Sequence, residues 1–211
     1  MNDKIKVALI DDHAVVRAGY RLLLESAGGF EILLESGDPE AVLDSKELLK
    51  SDVIILDLNL GGKSGFELIQ RVLQLKPEAR ILVFSIHDES IYVHRALDAG
   101  ALGYLCKQCD PLYMITGVQT VARGEAYLDP GLSIDFRGKA AQHSDPVSDL
   151  TAREFQVFEL LVQGLSTREI ALRLSLTAKT VSNYLTTIKE KFGTDSTAEL
   201  MRLAYDKLLK R

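Results

Sequence analysis

The chain has 211 residues, of which 25 are Lys or Arg and 30 are Asp or Glu, and its formal net charge of −5 is ordinary for a globular protein. No apolar run approaches the roughly 20 residues of a membrane-spanning helix, and the chain does not start with the basic-then-apolar order of a signal peptide. We therefore expect a cytoplasmic protein without a membrane segment, with either one large domain or two smaller ones.

Charge is divided unevenly along the chain. Residues 1–147 hold 15 Lys and Arg against 22 Asp and Glu, a net charge of −7, whereas residues 148–211 hold 10 against 8, a net charge of +2. The two parts are thus expected to have separate tasks, and the second is the more compatible with a polyanion. A charge of +2 is too small to indicate nucleic-acid binding without further support.

Apolar runs alternate with segments of helical period through the first part of the chain. These runs, each followed by its helical segment, cover 4–10 and 14–27, 30–36 and 39–50, 53–56 and 64–75, 80–86 and 89–98, and 102–106 and 110–123. Short apolar runs are typical of strands buried in a parallel sheet. The five repeats therefore predict an α/β fold, a flavodoxin-like, doubly wound parallel sheet with helices on its faces.

Charged residues stand where three of these runs end. Asp57 closes the apolar run 53–56, Asp11 and Asp12 follow the first run, and Lys107 follows the fifth. Because parallel strands end at one edge of their sheet, these side chains should meet where open α/β folds bind ligands. Three carboxylates form a hard oxygen site suited to Mg²⁺, and a cation beside a lone aspartate helps it to accept a phosphoryl group.

Two smaller motifs have plainer explanations. The glycine-rich loop 61–65 lacks the spacing of a phosphate-binding loop, so it is expected to turn the chain after Asp57, and Ser64 with Glu67 then forms a capping box. Cys106 and Cys109 form a C-x-x-C, which is either a redox pair, half of a metal site or two small residues after a strand. No second Cys/His cluster completes a zinc site.

The rhythm changes after residue 123. Residues 124–147 collect glycine, proline and serine, which predicts a linker, and the pattern beyond it is helical. Capping residues mark four helix starts, namely Thr151 with Glu154, Ser166 with Glu169, Thr177, and Ser196 with Glu199. The second domain, residues 148–211, is therefore predicted to be a small all-α unit of four helices.

The strand-end residues of 1–123 resemble those of a response-regulator receiver domain. The matching positions, in order, are Asp11, Asp12, Asp57, Ser85 after the fourth strand, Tyr104 within the fifth strand and Lys107. The resemblance implies that a sensor histidine kinase phosphorylates Asp57, the phosphoacceptor. Where many receivers have Met-Pro after the acceptor region this chain has Leu60-Gly61, and it has Gln108 where many have proline after the lysine.

The resemblance also assigns roles to the other residues. Asp12, Asp57 and the carbonyl of Asn59 would hold Mg²⁺, and Asp11 would support the metal through water. Lys107 would pair with the phosphate. Ser85 would hydrogen-bond the phosphate oxygens, and Tyr104 would then change rotamer. The physical chemistry agrees, because phosphorylation adds charge and acceptor oxygens that a nearby hydroxyl and ammonium can satisfy.

Residues 148–211 resemble the NarL/FixJ (LuxR-type) helix-turn-helix domain. The matching segments are Leu150-Thr151-x-Arg153-Glu154, 164–171, and Leu176-Thr177-x-x-Thr180-Val181. Val181, Leu185, Ile188 and Phe192 form a stripe that should be buried, so the opposite face of this helix should enter the major groove of DNA. That face offers the predicted DNA contacts Lys179, Thr180, Ser182, Asn183, Thr186, Thr187 and Lys189.

Three functions are consistent with these patterns. We expect a phosphorylation-controlled transcription factor that binds double-stranded promoter DNA. A Mg²⁺-dependent aspartyl-phosphate enzyme would need a general acid or base at the position of Asn59. A protein-interaction module without specific DNA binding would lack the steep dependence of DNA affinity on salt. A homodimer on two half-sites is expected, because one small helix-turn-helix buries limited surface.

The final helix, 197–208, is a candidate dimer surface. Its apolar side chains are Leu200, Met201, Leu203, Ala204 and Leu208. The resemblance implies that this helix dimerises, while packing in the domain's own core is the alternative explanation of the same residues.

Overall fold

The computed structural model describes residues 4–132 and 146–208, the last four of them by their backbone. Contacts divide the chain into two compact units, Met1–Ile134 and Asp135–Arg211. Among the described residues, none of the helices is both long and apolar enough to cross a membrane.

The first unit is built from strands and helices in near-regular alternation. Its strands are β1 (Ile5–Ile10), β2 (Phe30–Ser36), β3 (Val53–Leu56), β4 (Asn59–Leu60), β5 (Lys63–Ser64), β6 (Ile81–Ser85), β7 (Gly103–Cys106) and β8 (Tyr127–Leu128). Its helices are α1 (Ala14–Ala27), α2 (Pro39–Leu43), α3 (Lys46–Lys50), α4 (Gly65–Leu75), α5 (Ser90–Asp98) and α6 (Pro111–Ala122).

Six strands form one parallel sheet in the order β2-β1-β3-β6-β7-β8, which confirms the predicted doubly wound fold. Ile10 at the end of β1 pairs with Leu56 at the end of β3, and Ser85 at the end of β6 pairs with Cys106. This register brings the residues after those strands, including Asp57, to one edge of the sheet.

The sheet is buried on both faces. Val7, Leu9, Val53 and Ile55 belong to a core cluster that includes residues of α1 and α6. The alternating residues, such as Ile54, are equally buried and point to the opposite face, as the period of two in a strand requires. Burial on both faces explains why these strands are continuous apolar runs.

Two features of the first unit differ from the sequence predictions. The segment 39–50, predicted as one helix, forms two short helices because each has its own N-cap: Asp38 accepts the backbone N–H of Glu40, and Ser45 accepts that of Glu47. The second difference is β8, a sixth strand within the predicted linker. Two residues are too few to produce a readable period, so no sequence pattern predicts this strand.

The described residues of the second unit form four helices, as predicted. They are α7 (Ala152–Val162), α8 (Thr167–Arg173), α9 (Ala178–Phe192) and α10 (Thr197–Leu208). The capping boxes at Thr151 and Ser166 are complete, and Thr177 accepts the backbone N–H of Thr180. The third box is half formed: Ser196 accepts the N–H of Glu199, whose carboxylate instead accepts the hydroxyl of Thr194.

Candidate functional site

Asp57, Asp11 and Lys107 form a buried ion cluster at the sheet edge. The Asp57 side chain is 3% exposed and that of Lys107 is 11% exposed. The ammonium of Lys107 donates to Asp11 Oδ2 at 2.5 Å and to Asp57 Oδ2 at 2.7 Å. Three strands thus deliver two carboxylates and one ammonium to the same point, as the sequence predicted.

The electrostatics of this cluster favour another cation. Burial raises the pKa of Asp57, although the hydrogen bond from Lys107 opposes this effect. Burial alone would lower the pKa of Lys107, but its bonds to Asp11 and Asp57 outweigh burial and raise it. Lys107 therefore remains charged, and two carboxylates share one cation in a poorly solvated place.

A divalent metal fits the remaining oxygen atoms. Within the described part of the chain, Asp57 Oδ1 is buried without a hydrogen-bond partner, although such atoms are usually satisfied. One potential ligand atom from each of Asp11, Asp12, His13 and Asp57 lies within 4.8 Å of the others. Carboxylate oxygens are the ligands that Mg²⁺ prefers. Asp11, Asp12 and Asp57 are therefore placed together as predicted.

Sequence reasoning missed His13, which lies beside the acids. Its Nδ1 lies 2.6 Å from Asp12 Oδ1 and 3.2 Å from Asp11 Oδ1, while its side chain is 64% exposed. The signal was its position directly after the acid pair. The ring therefore contacts two of the predicted metal-site acids from the solvent side.

The loop after Asp57 is a small hairpin tied to the acidic site. β4 and β5 pair antiparallel, and Gly61 and Gly62 turn the chain with φ of 60° and 91°, values that only glycine adopts easily in succession. The N–H of Gly61 donates to Asp12 Oδ2 at 2.9 Å. The loop therefore holds the side chain of Asp12 in place.

Asn59 and His87 meet beside the hairpin. Asn59 Nδ2 lies 3.2 Å from His87 Nε2, so the Asn59 side chain is directed at the loop after β6. The predicted role of its carbonyl as a metal ligand stays a prediction. His87 was missed by sequence reasoning: its ring stacks on Tyr92 at 3.9 Å, and burial lowers its pKa.

The two predicted switch residues, Ser85 and Tyr104, are both fully buried. The hydroxyl of Tyr104 donates to the backbone carbonyl of His87 at 2.8 Å, and the N–H of His87 donates to Ser85 Oγ at 3.4 Å. Burial raises the pKa of Tyr104, so the hydroxyl keeps its proton and can donate. The segment after β6 thus joins Ser85 to Tyr104 through one residue.

The C-x-x-C does not have the properties of a redox pair. Cys106 is buried, and Cys109 is partly buried. Burial raises the pKa of both thiols, that of Cys109 to about 11, whereas reactive cysteines have a lowered pKa. The backbone N–H of Cys106 donates to the buried carboxylate of Asp129. Packing at the end of β7 explains both cysteines.

Helix α9 has the two faces that the sequence predicted. Val181, Leu185 and Ile188 are buried, and the ring of Phe192 lies 5.0 Å from that of Phe158. Among the predicted DNA contacts, the exposed residues are Lys179, Ser182, Asn183 and Thr186, and the partly exposed ones are Thr180, Thr187 and Lys189. All seven are therefore at least partly accessible on this helix.

Two lysines of α9 point towards protein groups. Lys189 donates to the carbonyl of Asp195 at 3.3 Å, and Lys191 donates to the carboxylate of Glu154 at 2.7 Å. Burial alone would raise the pKa of Glu154, but Lys191 and the N–H of Thr151 hold it below its usual value. This ion pair fastens α9 to the start of α7.

Arg153, in the first segment that resembles the helix-turn-helix family, also has a structural role. Arg153 donates to the carbonyl of Leu174 at 2.8 Å and to the side chain of Gln156 at 2.7 Å. Because Leu174 ends α8, this bond holds α7 against the turn before α9. The motif residues Arg153 and Glu154, both on α7, thus position the helices of the second unit. They are not part of the outward face of α9.

Core packing accounts for part of the apolar stripe on α10. Leu200 and Ala204 are fully buried in the second unit, whereas Met201 is 36% exposed and Leu203 is partly exposed. The side chain of Leu208 lies outside the described residues. The dimerisation of this helix stays a prediction, with Met201 and Leu203 as its accessible apolar side chains.

Comparison with known proteins assigns both units. Residues 7–119 match the response regulator receiver domain family, and residues 148–204 match the family described as bacterial regulatory proteins, luxR family. The transcriptional regulatory protein UhpA of Escherichia coli is 38% identical over 96% of this chain and 98% of its own length. The nitrate/nitrite response regulator NarP of the same organism is 34% identical over 90% of each.

Solved structures give the same result for the fold. The response regulator ChrA of a heme-sensing two-component system has a TM-score of 0.53 and 30% identity, covering 96% of this chain and 97% of its own. RcsB of Salmonella enterica serovar Typhimurium, bound to a promoter with the phosphomimetic BeF3⁻, has a TM-score of 0.67 and 23% identity, covering 96% and 98%. The second likeness concerns the fold alone.

Proposed function

This chain belongs to the NarL/FixJ (LuxR-type) family of response regulators, and we propose that phosphorylation of Asp57 by a sensor histidine kinase controls its binding to promoter DNA. As a member of this family it is a regulator of transcription and not an enzyme. The observation that carries the proposal is the buried cluster at the sheet edge, in which Lys107 bridges Asp11 and Asp57. We also propose that the protein acts in the cytoplasm.

The chemistry follows from the groups around Asp57. A carboxylate oxygen of Asp57 forms a bond to phosphorus as the bond to the donor imidazole breaks, and the imidazole nitrogen keeps that electron pair. Mg²⁺, held by Asp12, Asp57 and the Asn59 carbonyl with Asp11 acting through water, would neutralise charge on the phosphoryl oxygens. Lys107 is already within hydrogen-bond distance of Asp57 and pairs with the new phosphate.

We propose that the buried hydroxyls of Ser85 and Tyr104 transmit the effect of phosphorylation to the surface. Phosphorylation adds three strong acceptor oxygens near the end of β6, where the Ser85 hydroxyl can donate to one. A shift of Ser85 moves its partner His87, which also accepts from Tyr104 and stacks on Tyr92 of α5. We propose that this chain of contacts, including a rotamer change of Tyr104, alters the surface around α5.

The DNA-binding half of the proposal rests on α9. Its seven predicted contacts are accessible, and the apolar stripe opposite them is held by the core of the second unit. RcsB structures contain promoter DNA and dimers bound to DNA, and we propose the same assembly for this chain, a homodimer on two half-sites. Half-sites about one helical turn apart, as footprinting would reveal, are expected for such a dimer.

The decisive test is phosphorylation of the full chain by acetyl phosphate in Mg²⁺, followed by intact-protein mass spectrometry. We expect one phosphate on the wild type and none on Asp57→Asn. Asp44→Asn is the matched control, because Asp44 is an exposed acid of the same unit. Equal phosphate uptake by Asp57→Asn would disprove the assignment of the acceptor.

A second arm tests whether the phosphate reaches the DNA-binding unit. Ser85→Ala and Tyr104→Phe should still accept phosphate, but the phosphorylation-dependent gain in DNA affinity should fall in both. Affinity should also drop steeply with salt, since the contacts to phosphates release counterions. Full retention of the gain in both variants would refute the proposed chain of contacts. Salt-independent affinity would instead favour a protein-interaction module without specific DNA binding.

A further inference from the structure

The hydroxyl groups on the outward face of α9 are bonded to the helix itself. Ser182 donates to the carbonyl of Ala178 at 3.0 Å, Thr186 to that of Ser182 at 3.1 Å, and Thr187 to that of Asn183 at 3.3 Å. Each hydroxyl hydrogen is therefore occupied, and each oxygen can only accept. The methyl group of each threonine takes no part in these bonds and remains available for apolar contact.

Asn183 differs from these residues. Its side chain is exposed and makes no hydrogen bond to any residue that the structure describes, so its amide offers both a donor and an acceptor. Thr186 stands one turn further along the same face. A free asparagine amide matches the N6 donor and N7 acceptor of adenine, and a threonine methyl matches the C5 methyl of thymine.

The cations of α9 argue against recognition of guanine. Guanine is read in the major groove chiefly by Arg or Lys donating to O6 and N7. Lys189 and Lys191 point to protein acceptors, and Lys179 stands at the second residue of the helix, a turn before Asn183. The positions from Ser182 to Thr186 that face outward carry no charge. Their free groups suit A·T pairs.

We propose, on the basis of the proposed function, that α9 reads adenine through Asn183 and thymine through the methyl group of Thr186. The half-site recognised by this protein therefore has A·T pairs at the positions facing these two residues. The serine and threonine oxygens, as acceptors, add contacts to exocyclic amino groups. Lys179 is assigned a contact to the phosphate backbone, which carries no sequence information directly.

The test begins with the full chain phosphorylated by acetyl phosphate in Mg²⁺. Duplexes enriched from a random pool should contain A·T pairs at two fixed positions in each half-site, one facing Asn183 and one facing Thr186. Affinity is then measured by fluorescence anisotropy at one salt concentration on two altered duplexes. Replacing the adenine that faces Asn183 by 7-deazaadenine removes N7, and replacing the thymine that faces Thr186 by uracil removes the methyl group. We expect a loss of roughly 10-fold for the first and a smaller loss for the second.

Variants assign each effect to its residue. Asn183→Ala should bind the adenine and 7-deazaadenine duplexes equally. Thr186→Ser, which lacks the methyl, should lose the preference for thymine over uracil, whereas Thr186→Val, which keeps a methyl, should retain that preference. Thr116→Ser is the matched control, because Thr116 is an exposed threonine of α6 with the same bond to a carbonyl four residues earlier. It should leave both preferences intact.

The outcomes separate this inference from the function on which it rests. Sequence-specific binding with a guanine contact at the Asn183 position, or with no effect of 7-deazaadenine, would overturn the A·T assignment and leave the regulator function standing. The absence of any saturable DNA binding by the phosphorylated chain would overturn the proposed function and this inference with it.

Discussion

The sheet-edge cluster and the outward face of α9 are opposite ways to build a functional surface. Asp11, Asp57 and Lys107 come from the ends of three strands and are buried, so each depends on the others for its charge to be tolerated. Ser182, Asn183 and Thr186 stand exposed on one helix and depend on nothing beyond that helix. The sheet-edge cluster therefore affects the stability of its domain, whereas the outward face of α9 does not.

The difference follows from solvation. A buried carboxylate without a partner costs far more than an exposed amide, which water satisfies. Substitutions at the acidic cluster are therefore expected to change folding and signalling together. Substitutions on the outward face of α9 should change recognition and leave folding almost unaffected. Four substitutions test this contrast.

Lys107→Met should have the largest effect. It leaves Asp11 and Asp57 buried without their shared cation, and we expect the receiver domain to lose about 3 kcal/mol or more of its unfolding free energy in metal-free buffer. Urea unfolding of the full chain measures it. Lys63→Met is the matched control, because Lys63 forms an exposed ion pair with Asp38 at 2.8 Å, which should contribute less than about 1 kcal/mol.

A second substitution checks the cause of that loss. Adding Asp57→Asn to Lys107→Met removes one of the two stranded carboxylates, so the double variant should lose less than the sum of the single variants. Additive losses would mean that Asp57 and Lys107 do not stabilise each other in the folded protein. The contrast between the two surfaces would then lose its physical basis.

Gly65→Ala should have the second largest effect. A Cβ atom at Gly65 would lie 2.5 Å from the Asp57 carbonyl oxygen and 2.5 Å from Leu58 Cα, both backbone atoms that are held by the sheet edge. We expect a loss of about 3 kcal/mol in unfolding free energy. The same substitution at Gly19 of α1, where nothing lies within 4 Å of the added atom, should stabilise the chain by about 0.5–1 kcal/mol.

The sequence could predict the acidic cluster because the signal was local and repeated. Three of the five apolar runs ended in a charged residue, and the topology of a parallel sheet forces such ends together. It could also predict the stripe of α9, since a helical period determines which residues are buried. The four helix starts of the second domain followed from capping residues such as Thr151, whose effect is confined to one turn.

The parts that could not be predicted depend on contacts distant in the chain or on rotamers. His87 contacts Asn59 and stacks on Tyr92, and no rule of sequence spacing predicts either contact. The bonds of Thr186 and Thr187 to their own helix are a choice of rotamer. The break between α2 and α3 is a different case, because Asp38 and Ser45 were readable capping residues that the apolar period concealed.

Glu154→Gln sharpens the contrast within the second domain. Glu154 is buried and paired with Lys191, away from the DNA-reading groups, so it should behave like the acidic cluster and not like the outward face of α9. We expect a loss of about 1–2 kcal/mol at pH 7, measured by urea unfolding. Glu190→Gln, at an exposed position of α9, is the control and should change little.

The pH dependence of that loss has a defined sign. The pKa of Glu154 in the folded protein is below its usual value of 4.5, so the ion pair stabilises the fold fully above about pH 4.5 and this contribution disappears as the pH falls through the folded pKa. The difference between wild type and Glu154→Gln should therefore shrink in acid. A difference that stays constant from pH 7 to about pH 3 would show that charge is not its cause.

Asn183→Ala should have the smallest effect on folding and a large one on recognition. The exposed amide has no protein partner among the described residues, and alanine favours a helix more than asparagine, so unfolding free energy should rise by about 0.5 kcal/mol. Base preference should nevertheless relax. Lys179→Met should instead weaken binding to all sequences alike and flatten the salt dependence. If Asn183→Ala destabilised the domain by more than about 1 kcal/mol, its loss of DNA binding could be attributed to folding, and the separation of recognition from stability on α9 would be wrong.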